Sequence, residues 1–247
     1  MAQPPSLDPA EVAKFSALAA KWWDQEGEFA PLHRMNPVRL AYLRDEAAKI
    51  APTGGAAAAP GGGKLAGLRI LDLGCGGGLV SVPLARLGAV VTGADASAET
   101  IAAARAHAAA VGVGVDYRVA TAEELAAAGE TFDLVLALEI VEHVADVGAF
   151  LSACAALARP GGKLIVSTIN RTQKARAFAI IGAERFLRWV PEDTHHYEKL
   201  VTPEELVRAA PALAWEAPVG MSFDPLQRRW RLSRDVSVNY FRSARKS

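Results

Sequence analysis

The chain predicts an α/β fold, a doubly wound sheet that is mostly parallel with a final antiparallel strand. Three observations carry that expectation. From Leu68 onward, short apolar runs alternate with longer amphipathic or alanine-rich stretches, the pattern of buried strands joined by helical crossovers. A glycine cluster, Gly74-Cys75-Gly76-Gly77-Gly78, follows the first of these runs directly. An acidic residue, Asp95, closes the second.

Residues 1–51 read as helical. Phe15, Leu18, Ala19, Trp22 and Trp23 mark one apolar face, and Val38, Leu40, Tyr42 and Leu43 open a second after Pro37. Together they are expected to form an N-terminal helical cover. Residues 52–64 hold two glycine clusters and an alanine run, the composition of a flexible linker. Residues 65–247 form the main body of one structural domain. Strands are expected at 69–73, 89–94, 115–119, 132–138 and 163–168, with helices at 79–87, 98–110, 122–128 and 147–157 between them. Arg159-Pro160-Gly161-Gly162 cannot continue a helix and is expected to turn the chain into the fifth strand. Residues 170–200 form a helical insertion. At 235–242, Val236, Val238 and Tyr240 alternate with polar neighbours, which marks a last strand with one wetter face.

At 247 residues the length suits one α/β domain with accessory segments. Lys plus Arg equals Asp plus Glu at 27 each, so a nucleic-acid partner, which usually demands a basic excess, is not expected. The two cysteines, Cys75 and Cys154, make neither a disulfide framework nor a zinc cluster. Asp8, Glu11, Asp24, Glu26 and Glu28 interrupt the first thirty residues, and no run approaches the length of a membrane span. A cytoplasmic location is therefore expected.

Glycines between a strand and a helix let the backbone turn sharply and let a ligand touch the main chain. Asp95 lies twenty-one residues after Gly74, where a carboxylate can accept from both hydroxyls of a ribose. Asp72, Gly74, Gly76 and Asp95 thus describe a nucleoside site at the carboxyl end of the sheet. Leu79 stands where a dinucleotide fingerprint has its third glycine, which counts against a nicotinamide oxidoreductase. S-adenosyl-L-methionine has no pyrophosphate and carries a sulfonium cation, which an acidic strand end such as Asp72 suits.

Asp72-Leu73-Gly74-Cys75-Gly76-Gly77-Gly78 resembles the first motif of the Rossmann-like class I methyltransferases. A more specific set of strings covers nearly the whole chain. It comprises Phe15, Lys21-Trp22-Trp23-Asp24, Gly27-Glu28-Phe29 and Pro31-Leu32-His33-Arg34-Met35-Asn36-Pro37. It continues with Glu139-Ile140-Val141-Glu142-His143-Val144, Ser167-Thr168-Ile169-Asn170-Arg171, Thr194-His195 and Val238-Asn239-Tyr240. These resemble the bifunctional ubiquinone-biosynthesis O-methyltransferases. The resemblance implies methylation of catechol-type hydroxyls on polyprenylated rings, at an early and a late step. It also implies cofactor contacts from Arg39, Gly74, Asp95 and Leu138. Another small-molecule methyltransferase of this fold, or a non-catalytic cofactor-binding scaffold of a lipid-biosynthetic complex, stays open as an alternative.

Methyl transfer requires donor and acceptor oxygen to be aligned and the oxygen to be nucleophilic. A phenol titrates near ~10, so a base or a cation must assist. Glu139, Glu142 and His143 lie just past the fourth strand. On a helical turn these i, i+3 and i+4 positions share a face and could hold Mg²⁺ or Zn²⁺ with places left for a diol. The resemblance implies such a metal in eukaryotic relatives, while some bacterial ones manage without. The other reading makes Glu142 a first-turn carboxylate and His143 the base. Glu142 and His143 are the candidate catalytic residues.

Between 170 and 190, Arg171, Lys174, Arg176, Arg185 and Arg188 interleave with Phe178, Ile180, Ile181, Phe186, Leu187, Trp189 and Val190. That is the make-up of an interfacial helix, and a polyprenyl substrate lives in the membrane. The segment is expected to face an anionic membrane surface, peripherally on the inner side and near other ubiquinone-biosynthesis proteins. A core-packed lid is the alternative. Trp22, His33 and Arg39 could close over cofactor and ring, and the resemblance makes His195 a pocket residue.

Overall fold

The computed structural model describes residues 6–51, 63–177, 197–224, 227 and 229–247. Helix α1 (Pro9–Ala17) starts where the Asp8 carboxylate accepts from the amides of Ala10 and Glu11, with proline at the first position, a favourable opening for a helix. A short 3-10 turn, Ala19–Lys21, leads towards α2 (Ala30–Ala47). The second N-terminal helix does not begin after Pro37, as the sequence suggests; Pro37 lies inside α2. Pro31 opens that helix, and the Asn36 amide anchors it by donating to Leu79 O at 2.7 Å.

The expected alternation follows. It comprises β1 (Arg69–Leu73), α3 (Ser81–Arg86), β2 (Val90–Asp95), α4 (Ala98–Ala110), β3 (Asp116–Val119), α5 (Ala122–Ala127), β4 (Phe132–Leu138), α6 (Val147–Leu157) and β5 (Ala158–Ile169). Side chains start the helices as their chemistry predicts: Ser97 caps α4, a Thr121–Glu124 capping box opens α5, and Asp146 caps α6. These strands are parallel in the order β3-β2-β1-β4-β5.

Every residue of β4 is buried because both sheet faces are covered. On one face Leu71, Val135, Leu164 and Val166 pack with Leu125, Phe150, Leu151 and Leu157 of α5 and α6. On the other, Ile70, Leu134, Leu136 and Ile165 pack with Leu43 and Ala47 of α2 and Leu84 of α3. Helix α2 is therefore a layer of the fold itself. It is also pinned by charge: Lys163, buried in the middle of β5, binds Glu46 of α2 and Glu216, the latter at 2.9 Å. Removing one partner of such a buried pair typically costs about 3–5 kcal/mol.

Beyond a short turn α7 (Gln173–Ala175), a 3-10 turn Tyr197–Lys199 and α8 (Pro203–Ala209), the chain adds β6 (Ala214–Trp215), β7 (Val219–Asp224), β8 (Arg229–Ser233) and β9 (Asn239–Arg245). Strand β9 is antiparallel to β5, from Lys163↔Arg245 to Ile169↔Asn239. Its other edge is shared by β6 and β7, and β8 closes the sheet. The final antiparallel strand begins at Asn239 instead of at 235, because the Asp235 carboxylate takes the Ser237 amide and turns the backbone there. Arg159–Gly162 is not a turn before β5 but a bulge within it. The pairing jumps from Phe132↔Ala158 to Leu134↔Lys163, with Gly161 at φ 71°. Among the described residues, no helix is long and apolar enough to cross a membrane.

Candidate active site

The site is built where β1, β2, β3 and β4 end. After β1 the chain must reverse into α3, and it does so through Gly74 and Gly76 at φ 63° and 53°, values an L side chain resists. Both glycines are also crowded. A Cβ on Gly74 would lie 2.4 Å from Ile140 Cδ1, and one on Gly76 would lie 2.3 Å from the Trp22 ring. A cavity of about 140 Å³ opens beside this loop. Its lining includes Leu73, Gly74, Asp95 and Ala120 from the strand ends, Glu139, Ile140, His143, Val144 and Phe150 beyond β4, and Glu11 and Phe15 of α1.

The Asp95 carboxylate accepts from Gly76 N at 3.1 Å and Ser97 N at 2.9 Å. Each oxygen keeps a further lone pair for a ribose hydroxyl. Burial pushes its pKa up despite those amides. Asp72 lies beneath the loop, accepting from the Ser81 hydroxyl at 2.6 Å, with burial raising it to about 6. Arg39 is buried, flanked by the charges of Glu139 and Asp72, and its pKa is lowered by burial. Its Nε and Nη1 have no hydrogen-bond partner among the described residues. Buried guanidinium donors left unmatched are costly, and a carboxylate such as that of an amino-acid tail would satisfy them.

Past β4 the backbone turns through Glu139, a non-glycine residue at φ 52°. Such a conformation costs of order 1–3 kcal/mol. Strand β5 holds it in place: the Glu139 amide donates to Ser167 O at 2.9 Å, and its carboxylate accepts from the Ser167 hydroxyl at 2.7 Å. The next turn, Val141–His143, is 3-10 rather than α-helical. Glu142 is thereby buried. Burial first, then the neighbouring Glu139 charge, pushes its carboxyl up to about 8, against its own amide and the Thr168 hydroxyl. His143 goes the other way, its Nδ1 3.1 Å from Glu11 Oε2 on α1.

A 3-10 turn stands where the α-helical spacing was expected for Glu139, Glu142 and His143. Glu139 is committed to Ser167 and His143 to Glu11. Among the described residues, no group of three His, Cys, Asp or Glu side chains is placed to hold a metal ion.

Trp22 lies across Gly76 and Gly77 and stacks on Phe29 with ring centroids 3.8 Å apart. It lines the cavity, and its indole N–H has no partner among the described residues. His33 stands behind it, its Nε2 donating to Trp22 O at 2.9 Å, and is not part of the cavity wall. Leu138 packs into the apolar layer under α2, adjacent to the cavity but not on its surface. His195 lies outside the described residues, as do Arg185 and Arg188. The basic residues at the start of the 170–190 segment are turned to protein partners. Arg171 binds Glu205, Lys174 binds Asp235 at 2.5 Å, and Arg176 sits 5.5 Å over the Tyr197 ring.

Sequence reasoning missed Glu11, Phe150 and Lys199. One signal was present: Glu11 and Phe15 are four apart on α1, hence on one helical face. Nothing in the sequence said that this face turns inward.

A glycine loop, a strand-end carboxylate and unmatched buried guanidinium donors, on a sheet of this order, define a class I S-adenosyl-L-methionine-dependent methyltransferase. Residues 71–166 match a family model described as a methyltransferase domain. The fold is shared with the magnesium protoporphyrin IX methyltransferase of Synechocystis crystallised with bound SAH (TM-score 0.61, 20% identity, 95% of this chain and 94% of that one). It is shared too with a SAM-dependent methyltransferase of Thermotoga maritima, described as a possible histamine N-methyltransferase (TM-score 0.62, 19% identity, 96% and 100%). Sequence relatives are more specific. The ubiquinone biosynthesis O-methyltransferase of Rhizobium leguminosarum bv. trifolii is 54% identical over 244 residues, 98% of this chain and 95% of that one. That of Chelativorans sp. is 53% identical over 243 residues, 98% and 94%. The chain belongs to the family of ubiquinone biosynthesis O-methyltransferases.

Proposed function

We propose that this enzyme methylates catechol-type hydroxyls of polyprenylated ring intermediates in ubiquinone biosynthesis, at both O-methylation steps. The observation that carries the reading is the make-up of the cavity lining around His143. His143 is set there among Phe15, Ile140, Val144 and Phe150. Such a wall suits a flat aromatic ring, with one group able to take a proton from its hydroxyl.

When bound, S-adenosyl-L-methionine supplies a methyl group already activated by the sulfonium. Asp95 and the amides around Gly76 would hold the ribose end, and Arg39 the carboxylate of the tail. The apolar wall orients the acceptor ring and excludes water, and His143 accepts the hydroxyl proton. Glu142, kept protonated by burial, adds no second negative charge beside Glu139. The polyprenyl tail motivates a peripheral position at an anionic membrane surface, reached through residues 170–190. The composition of that segment supports this, although Arg171, Lys174 and Arg176 hold protein partners.

Methyl transfer from labelled S-adenosyl-L-methionine to a short-chain demethylubiquinol, and to the matching polyprenyl hydroxyphenol, tests the reading. Turnover of both acceptors is expected, undiminished by EDTA and lost in His143→Ala. Binding of the donor without turnover of either acceptor would sink it. Turnover abolished by EDTA and restored by Mg²⁺ or Zn²⁺ would transfer the proton chemistry from His143 alone to a metal.

A further inference from the structure

We propose that the indole N–H of Trp22 is a cofactor contact, donating to the carboxylate of the amino-acid tail of S-adenosyl-L-methionine beside Arg39. The proposal rests on the reading above that sets this tail against Arg39, and on no acceptor.

Trp22 is 8% exposed and lines the cavity together with Leu73, Gly74 and Asp95. Its Nε1 is buried and has no hydrogen-bond partner among the described residues. The adjacent tryptophan supplies the contrast. Trp23 gives its indole proton to Gly77 O at 3.1 Å, so the same stretch of chain matches one indole with backbone and leaves the other open. The Trp22 ring is also firmly held. It stacks on Phe29 with centroids 3.8 Å apart, and His33 Nε2 binds the Trp22 carbonyl at 2.9 Å. A Cβ on Gly76 would meet the ring at 2.3 Å, and one on Gly77 would meet Trp22 Cβ at 2.6 Å. A buried donor without an acceptor is costly, so one held this firmly implies a partner that the chain itself does not supply. A donor in place before its ligand arrives also loses little freedom on binding.

The chemistry of the neighbouring groups names the partner. Ring carbon Cζ2, two bonds from Nε1, lies 2.5 Å from where a Gly76 Cβ would stand, so the N–H borders the glycine loop. Arg39 likewise leaves Nε and Nη1 buried and unmatched. Asn36, one turn before Arg39 on α2, donates its amide to Leu79 O and leaves Oδ1 buried and unmatched. Unmatched donors and an unmatched acceptor, all from the N-terminal segment, complement a group that is both anion and cation. The tail of the methyl donor is such a group. A carboxylate only accepts, and offers about four lone-pair sites. A guanidinium fork takes two of them and leaves room for the indole.

Calorimetry with S-adenosyl-L-homocysteine and its decarboxylated analogue tests the assignment without any acceptor. Trp22→Phe keeps an aromatic ring against Phe29 and removes the N–H. It is expected to weaken S-adenosyl-L-homocysteine roughly tenfold while the decarboxylated analogue stays within twofold. Equal losses for both ligands would reduce Trp22 to packing and overturn the proposal, as would no loss for either. In the parent, the Trp22 indole ¹H–¹⁵N resonance, assigned through its contacts with Phe29, should move downfield with S-adenosyl-L-homocysteine and not with the analogue. A resonance that S-adenosyl-L-homocysteine leaves in place would overturn the proposal even if the variant does not fold. Should the parent bind both ligands equally, the site reads no carboxylate, and the Arg39 assignment falls as well. A parent preference for the carboxylate that survives in full in Trp22→Phe sinks the Trp22 role alone.

Discussion

Burial in the active site pushes the Glu142 carboxyl well above its usual range. A carboxyl with a folded-state pKa of about 8 binds its proton more tightly folded than unfolded, where it titrates near ~4.3. The stability linked to that proton is complete below the unfolded pKa and is lost as pH rises towards 8. The slope is at most about 1.4 kcal/mol per pH unit. Asp72, raised to about 6, acts in the same direction over a narrower window. The melting temperature of the ligand-free protein should therefore fall between pH 5 and 8, and Glu142→Gln should flatten much of that fall. An unchanged slope in the variant would show that Glu142 ionises freely in the fold. At this scale Gly74, Gly76 and Asp95 were legible in the sequence, because a sharp turn and a strand-end acid leave composition marks. Glu11 was not: an acidic residue in a short helix looks like any solvated one until its partner 132 positions away is placed.

The segment from Ser6 to Asn36 acts as a strap across the cavity, fastened to several elements. The Ser6 amide donates to Glu123 Oε1 at 2.9 Å, and Ser6 O accepts from Ala145 N at 2.7 Å. The Ser16 hydroxyl meets that of Ser97 at 2.7 Å, and the Trp23 indole donates to Gly77 O at 3.1 Å. Trp22 lies against Gly76 and Gly77 and stacks on Phe29, so Trp22→Ala should release the strap without melting the sheet. The expected loss of about 3 kcal/mol should appear in hydrogen exchange as faster amides in α1 and the following turn, with β1 and β4 unaffected. Uniformly accelerated exchange would mean that Trp22 belongs to the global core. The paired tryptophans were readable as an apolar helical face, but their seat on Gly76–Gly77 was not. It depends on the glycine loop lacking side chains, which no local pattern encodes.

At the scale of the molecule, two halves of one sheet differ in how they are held. The parallel half was legible because its strands, buried on both faces, are continuous apolar runs. The antiparallel half was mostly illegible: β8 alternates Arg229 and Arg231 with Trp230 and Leu232, a pattern with little apolar signal at an edge. Strand β9 joins the halves, paired to β5 on one side and to β6 and β7 on the other. A chain ending at Val238 should fail to fold, giving an aggregated product by sedimentation and no cooperative thermal transition. A soluble, cooperatively melting fragment would show that the parallel half is self-sufficient.

The central place of β9 also sets the timing of synthesis. It follows every other described strand of the sheet along the chain, yet it fills an interior slot. Until it arrives, β5 presents a bare row of amides and carbonyls, and the side of the sheet under α2 lacks Phe241. Such an unpaired edge invites association with neighbouring nascent chains. Yield of soluble enzyme should therefore depend on how quickly the residues of β9 are translated after β5, more than on the stability of the finished protein.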